Sequence, residues 1–225
     1  LVPMGATPLA ESMVEVKNYF LNYVNPNDLA IKCRQKYLIL VTDGSDTLAC
    51  NGDGMTTTGV MRMKTVQKVK ELYEAGITVF VVGFGATLLP TEQNTLNWAA
   101  KYGETMNPDG PYSGDPDAYD ITKYLPAGPG SDACYSTASL TELDPANYNL
   151  GGYAFMAADA TALSKALQII IKYISDKVYS FSSPTAPVIR ATDNNTVYLS
   201  SFMAADPKPW MGFFKAYTLN SDGTL

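Results

Sequence analysis

Two apolar runs, Tyr37-Leu38-Ile39-Leu40-Val41 and Ile77-Thr78-Val79-Phe80-Val81-Val82, most constrain what this chain can fold into. Neither alternates apolar with polar residues as a strand wetted on one face would. Strands of this composition are buried on both faces, and such strands belong to parallel sheets covered by helices. The flanking segments carry the matching helical period. Residues 8–24 place Met13, Val16, Phe20 and Val24 on one stripe, and residues 59–75 do the same with Met63, Val66, Val69 and Leu72. Thr7 is a candidate N-cap with Pro8 in the first turn, and Gly76 is a stop signal. A further helix is expected over 92–102, capped by Thr91, with Leu96, Ala99 and Ala100 inward. A third strand is expected from Gly152 to Met156. Asp159 then caps a helix with Leu163, Leu167, Ile170 and Ile174 on one stripe. Helix alternates with strand, so the expected class is α/β with a mainly parallel, Rossmann-like sheet flanked by helices.

Two stretches break the pattern. Residues 103–150 are rich in Pro, Gly, Asp, Tyr and Ser, and a connection of that length is uncommon inside a compact domain. They are expected to be an insertion ordered by a disulfide, a metal or a partner. After residue 176 the helical signals stop. Residues 177–187 read as a linker, and Val188 to Arg190, Thr196 to Phe202 and Phe213 to Leu219 as strands. The expected organisation is an α/β domain over 1–176 and the beginning of a β domain over 188–225.

Composition narrows the chemistry. A net charge of -6 argues against nucleic acid, which requires clustered Lys and Arg. No apolar stretch approaches the roughly 18 residues of a membrane span. Histidine is absent, which removes Ser-His and Cys-His nucleophilic pairs and every imidazole ligand. A metal held here is held by oxygen, so Mg²⁺, Mn²⁺ or Ca²⁺ is the kind expected. Ligands of parallel α/β sheets bind beyond the carboxyl ends of the strands. Asp43 lies at such an end. Thr7 opens a helix, which in alternating topology starts at the same edge. A carboxylate and a hydroxyl are therefore expected to converge.

Gly5-Ala6-Thr7-Pro8-Leu9 and Val41-Thr42-Asp43-Gly44 resemble the second and third elements of the metal-ion-dependent adhesion site of von Willebrand factor A domains. The first element, Asp-x-Ser-x-Ser, is not in the sequence. The resemblance implies that two serines and an aspartate from a first, central strand would join Thr7 and Asp43 around Mg²⁺. One coordination position would stay open for a partner's carboxylate. A sheet without that strand exposes strand edges, so a missing N-terminal segment or another chain is expected to fill the slot.

Tyr198-Leu199-Ser200-Ser201-Phe202 and Trp210-Met211-Gly212-Phe213-Phe214-Lys215-Ala216-Tyr217 look like the entry to the β-propeller of the PilY family, with Phe214 where leucine is usual. That family comprises type IV pilus tip adhesins. The resemblance implies an exported, extracellular protein at the pilus tip, with minor pilins and a host or surface ligand as partners. It implies binding and not catalysis, and no base–nucleophile pair or phosphate-binding glycine loop is visible. A metal-independent tip scaffold is the alternative, suited by the 15 tyrosines, since aromatics are enriched at interfaces.

A second acidic loop, Asp46, Asn51 and Asp53, resembles part of a calcium loop but lacks its full spacing and terminal Glu. Asp109, Asp115, Asp117 and Asp120 form another cluster, and solvated loops are the expectation for both. The cysteines are Cys33, Cys50 and Cys134, without a Cys-x-x-Cys pair. An odd count suggests a disulfide framework with one partner elsewhere, or free buried thiols. Strand direction favours Cys33 with Cys134 at the amino edge of the sheet, leaving Cys50 in a loop at the opposite edge.

Overall fold

The computed structural model describes residues 5–29, 31, 34–124, 141–178, 196–203 and 211–218. Helix α1, Leu9–Tyr19, continues through a π-helical turn, Phe20–Val24, into a last turn, Asn25–Asn27. Strand β1, Lys36–Thr42, leads through a loop to α2, Gly59–Glu74. Strand β2, Ile77–Phe84, leads to α3, Pro90–Tyr102. Two short strands, β3 (Ser113–Gly114) and β4 (Leu150–Gly151), pair antiparallel within the insertion. Strand β5, Phe155–Ala157, then feeds α4, Ala160–Val178.

The sheet order is β1-β2-β5, and both pairings are parallel. The register sets Leu38 beside Val79 and Leu40 beside Val81, so these residues share one face. That face packs with α1, α2 and α3 in one core, which includes Met13, Met63, Val66, Val69, Leu72 and Leu96. Tyr37, Ile39, Phe80 and Val82 line the other face, where Ala166 and Ile170 of α4 cover them. The chain is therefore a mixed α/β protein with a parallel three-stranded sheet flanked by helices. Strands β6 (Thr196–Met203) and β7 (Met211–Thr218) form a separate antiparallel pair, with Tyr198 opposite Ala216. Residues 179–195 lie outside the described residues, and with them most of the expected linker and the strand expected at Val188 to Arg190.

The α2 stripe is buried as its spacing requires: Met63, Val66, Val69 and Leu72 are all fully inaccessible. Burying each contributes about 1.5–3 kcal/mol. Thr58 caps this helix through Met61 N, and Gly76, at φ 79°, ends it where an L side chain would be strained.

Three local expectations change. Thr7 is not the cap of α1: the N-cap is Pro8, and no side chain of its own turn caps the helix. Thr91 lies inside α3, whose entry is closed by Glu92 Oε2 accepting Leu89 N at 2.8 Å. The third strand is Phe155–Ala157, shorter than the expected 152–156. Asn97 Oδ1 accepts both Tyr153 N and Ala154 N at 2.9 Å, and Gly152 turns at φ 89°. Those amides serve a helix side chain and are lost to a ladder.

The insertion is pinned to α2 and α3 by its own side chains. Tyr119 and Ile121 are fully buried, and Tyr119 meets the Trp98 ring edge-on at 5.3 Å. Tyr102 donates to Tyr119 O at 2.8 Å, and Tyr119 donates to Leu143 O at 2.9 Å. Arg62 of α2 holds Asp144 in a two-pronged ion pair, one prong at 2.9 Å. Residues 125–140 lie outside the described residues.

Candidate functional site at the carboxyl edge of the sheet

Strand β1 ends at Thr42, so Asp43 stands at the carboxyl edge of the sheet, exposed to solvent. Thr42 is buried, and its hydroxyl donates to Gly44 O at 2.9 Å, which bends the chain at once into a tight loop. That loop grips the start of α1. Thr7 N donates to Thr47 Oγ1 at 2.8 Å, and Thr47 N donates back to Thr7 O at 3.0 Å. Gly54 packs against Ala6 from the far end of the same loop. The two segments holding Thr7 and Asp43 thus form one hydrogen-bonded unit at one edge.

Asp46 is the hub of that unit. It is fully buried and accepts three backbone hydrogen bonds. Its Oδ1 takes Leu48 N at 2.9 Å and Ala49 N at 2.7 Å, ordering its own loop. Its Oδ2 takes Ala10 N at 2.6 Å. Ala10 N belongs to the first turn of α1, where amides lack helical partners and the helix dipole favours negative charge. Asp46 therefore caps α1 across a separation of 36 residues.

The other acidic side chains of the loops serve local turns. Asp53 is exposed, and its carboxylate closes a local turn onto Met55 N, Thr56 N and the Thr56 hydroxyl. The hydrogen bonds from Thr56 N and Met55 N, in that order, hold its pKa below the ordinary carboxylate value. Asn51 is exposed at φ 59°, a left-handed turn position that Asn tolerates. Asp115 accepts Asp117 N, and Asp120 accepts the Thr122 hydroxyl and amide, which lower its pKa. Asp109 is exposed. Among the described residues, no three His, Cys, Asp or Glu side chains come together as a metal group.

Cys50, at φ 61°, is disulfide-bonded. Cys33 and Cys134, the other cysteines of the chain, lie outside the described residues. The pairing expected from strand direction, Cys33 with Cys134, therefore falls outside the described residues.

Sequence reasoning missed three residues at this edge. Thr47 supplies the acceptor that holds Thr7 in place. Ser45 Oγ is buried without a hydrogen-bond partner among the described residues. Glu92 approaches from α3: a Cβ built on Gly44 would lie 3.6 Å from its Oε1. No spacing signal marks Thr47 or Ser45. The position of Glu92 follows from α3 starting directly after β2.

A concavity of about 520 Å³ opens elsewhere, lined by Gln93, Asn94, Asn97, Asn107, Ser113 and Asn149 among others, with no ionisable side chain. Its central amides are already used. Asn94 Nδ2 donates to Ala146 O at 3.0 Å, and Asn97 holds Tyr153 N and Ala154 N.

The donor set at the carboxyl edge suits a hard cation in part. Asp43 and the Thr7 hydroxyl carry no hydrogen bond among the described residues, and carboxylate and hydroxyl oxygens are ligands that Mg²⁺ accepts. They would supply two positions of an octahedron. No known protein family, curated protein or solved structure matches the chain.

Proposed function

We propose that this chain belongs to a type IV pilus tip adhesin and binds its partner through a divalent cation held at the carboxyl edge of the sheet. The reading is of a von Willebrand factor A-like domain followed by the first strands of a propeller. The carrying observation is the lock between the two loops, Thr7 to Thr47 and Asp46 to Ala10. It holds a hydroxyl and a carboxylate that carry no hydrogen bond among the described residues at one edge, while Asp46 is engaged by three backbone amides. The antiparallel pairing of β6 and β7 supports the second resemblance, because it joins the two aromatic-rich segments that carry it. The cation would bring Lewis acidity toward a partner's carboxylate. Thr7 and Asp43 would orient it, and further oxygens would come from water or from polypeptide outside the described residues. In this reading the protein is extracellular, assembles with minor pilins and has no catalytic role. The metal-independent scaffold is favoured by one observation: the described part of the insertion is secured to α2 and α3 by aromatic packing, hydrogen bonds and an ion pair.

The test is calorimetric titration of Mg²⁺ and Mn²⁺ into the protein and its Asp43→Ala variant. Saturable binding that the variant loses is the expected result. An absence of binding in both leaves the scaffold.

A further inference from the structure

The concavity beside α3 is built from uncharged polar groups. Gln93, Asn94 and Asn97 fall three and four apart, so one face of α3 supplies part of its lining. The insertion supplies Asn107, Ser113 and Asn149. These walls are fixed by the protein's own hydrogen bonds. Asn94 Nδ2 donates to Ala146 O at 3.0 Å and its Oδ1 accepts Leu150 N at 3.4 Å, which ties α3 to the insertion. Asn97 accepts the Tyr153 and Ala154 amides and donates to Gln93 O at 2.8 Å. Gly110 approaches Gly152 so closely that a Cβ on it would stand 2.4 Å from Gly152 O. A wall already ordered loses little freedom when a ligand binds.

Four side chains of the lining keep hydrogen-bonding capacity. Gln93 gives Nε2 to Leu88 O at 2.9 Å and keeps Oε1. Asn107 Oδ1 accepts Asp109 N at 3.1 Å, which leaves Nδ2. The side chains of Ser113 and Asn149 carry no hydrogen bond among the described residues. This composition selects a ligand class. None of the described lining residues is ionisable, so an ion entering the site would leave water without a counter-charge. A hydrocarbon would strand the donors and acceptors. Hydroxyl groups both donate and accept, as carboxamides do between their two ends. Pro90, Pro111 and Met156 add apolar surface for C–H faces. The volume, about 520 Å³, is that of a small-molecule site.

We propose that this concavity binds a neutral sugar of one or two rings, held by Gln93, Asn107, Ser113 and Asn149. It shares no lining residue with the edge that carries Thr7 and Asp43, and it stands without a bound cation.

Titration of lactose, maltose and N,N′-diacetylchitobiose into ¹⁵N-labelled protein, read on the side-chain amide signals by NMR, tests it. At least one sugar is expected to shift the Asn107 and Asn149 signals saturably, with gluconate as a charged control that does not. Asn107→Ala and Asn149→Ala, at positions that are not buried, each weaken binding ~3–10-fold, the loss of one hydrogen bond. Asp43→Ala leaves the affinity unchanged, which separates this site from the cation edge. Absence of saturable shifts with all three sugars overturns the proposal. So does unchanged affinity in the Asn107→Ala/Asn149→Ala double variant, or equal binding of gluconate. Binding of a blocked, uncharged tripeptide in place of the sugars also overturns it and assigns the concavity to peptide.

Discussion

Replacing Asp46 is the sharpest test of how this edge is built. In Asp46→Ala, three backbone amides, Ala10 N, Leu48 N and Ala49 N, lose their acceptor in a fully buried setting. A buried donor left unsatisfied costs about 1–3 kcal/mol. The three losses are not additive, because a water molecule can enter the space of the carboxylate and serve some of the amides. A net loss of ~3–5 kcal/mol follows, at the upper end of what single substitutions do. With a urea dependence of ~2–3 kcal/mol per molar, the midpoint falls by ~1–2 M. Asp46→Asn keeps an oxygen for Leu48 N and Ala49 N but sets an amide donor against Ala10 N, and loses roughly half as much. Asp43→Ala, three residues earlier and exposed, changes stability by less than ~0.5 kcal/mol. Equilibrium urea unfolding followed by far-ultraviolet circular dichroism measures all three. If Asp46→Ala moved the midpoint no further than Asp43→Ala, the assignment of Asp46 as the cap of α1 would be refuted.

Arg62→Ala leaves the largely buried Asp144 without its guanidinium and is expected to cost ~2 kcal/mol, read by thermal unfolding. The double variant Arg62→Ala/Asp144→Ala should recover part of that loss. Asp53 is expected to titrate below 3.8 by carboxyl-detected NMR, because its folded form accepts hydrogen bonds from the Thr56 and Met55 amides. The contribution to stability is present above the unfolded value and disappears as the pH falls through the lower folded one. A midpoint at or above 3.8 contradicts the turn geometry.

The strands and inward stripes were legible because they depend on local composition. The apolar run Tyr37 to Val41 lies within β1, Lys36–Thr42, and the α2 stripe is buried at every expected position. Asp159 caps α4 through Ala162 N at 2.8 Å, a contact three residues long that sequence spacing encodes directly. What escaped the sequence depends on partners distant along the chain. Thr7 has the residue type of a cap, yet the acceptor at α1 is Asp46. Tyr153 and Ala154 have strand character, yet Asn97, 56 and 57 residues away, takes their amides. The acidic loop illustrates the same limit: Asp46 and Asp53 look alike in sequence, but one is a buried hub and the other an exposed turn residue.

The two margins of the sheet are unequal. At one end stands a seven-residue strand, and at the other β5, cut to three residues where Asn97 takes the preceding amides. Filament growth by strand addition requires two complementary margins, so that each added copy offers a fresh place for the next. Here the short margin is a poor template, as natural edge strands often are. A two-fold mate paired along the long margin would leave only the two short β5 margins outward among the described strands, so each further copy would meet a poor template.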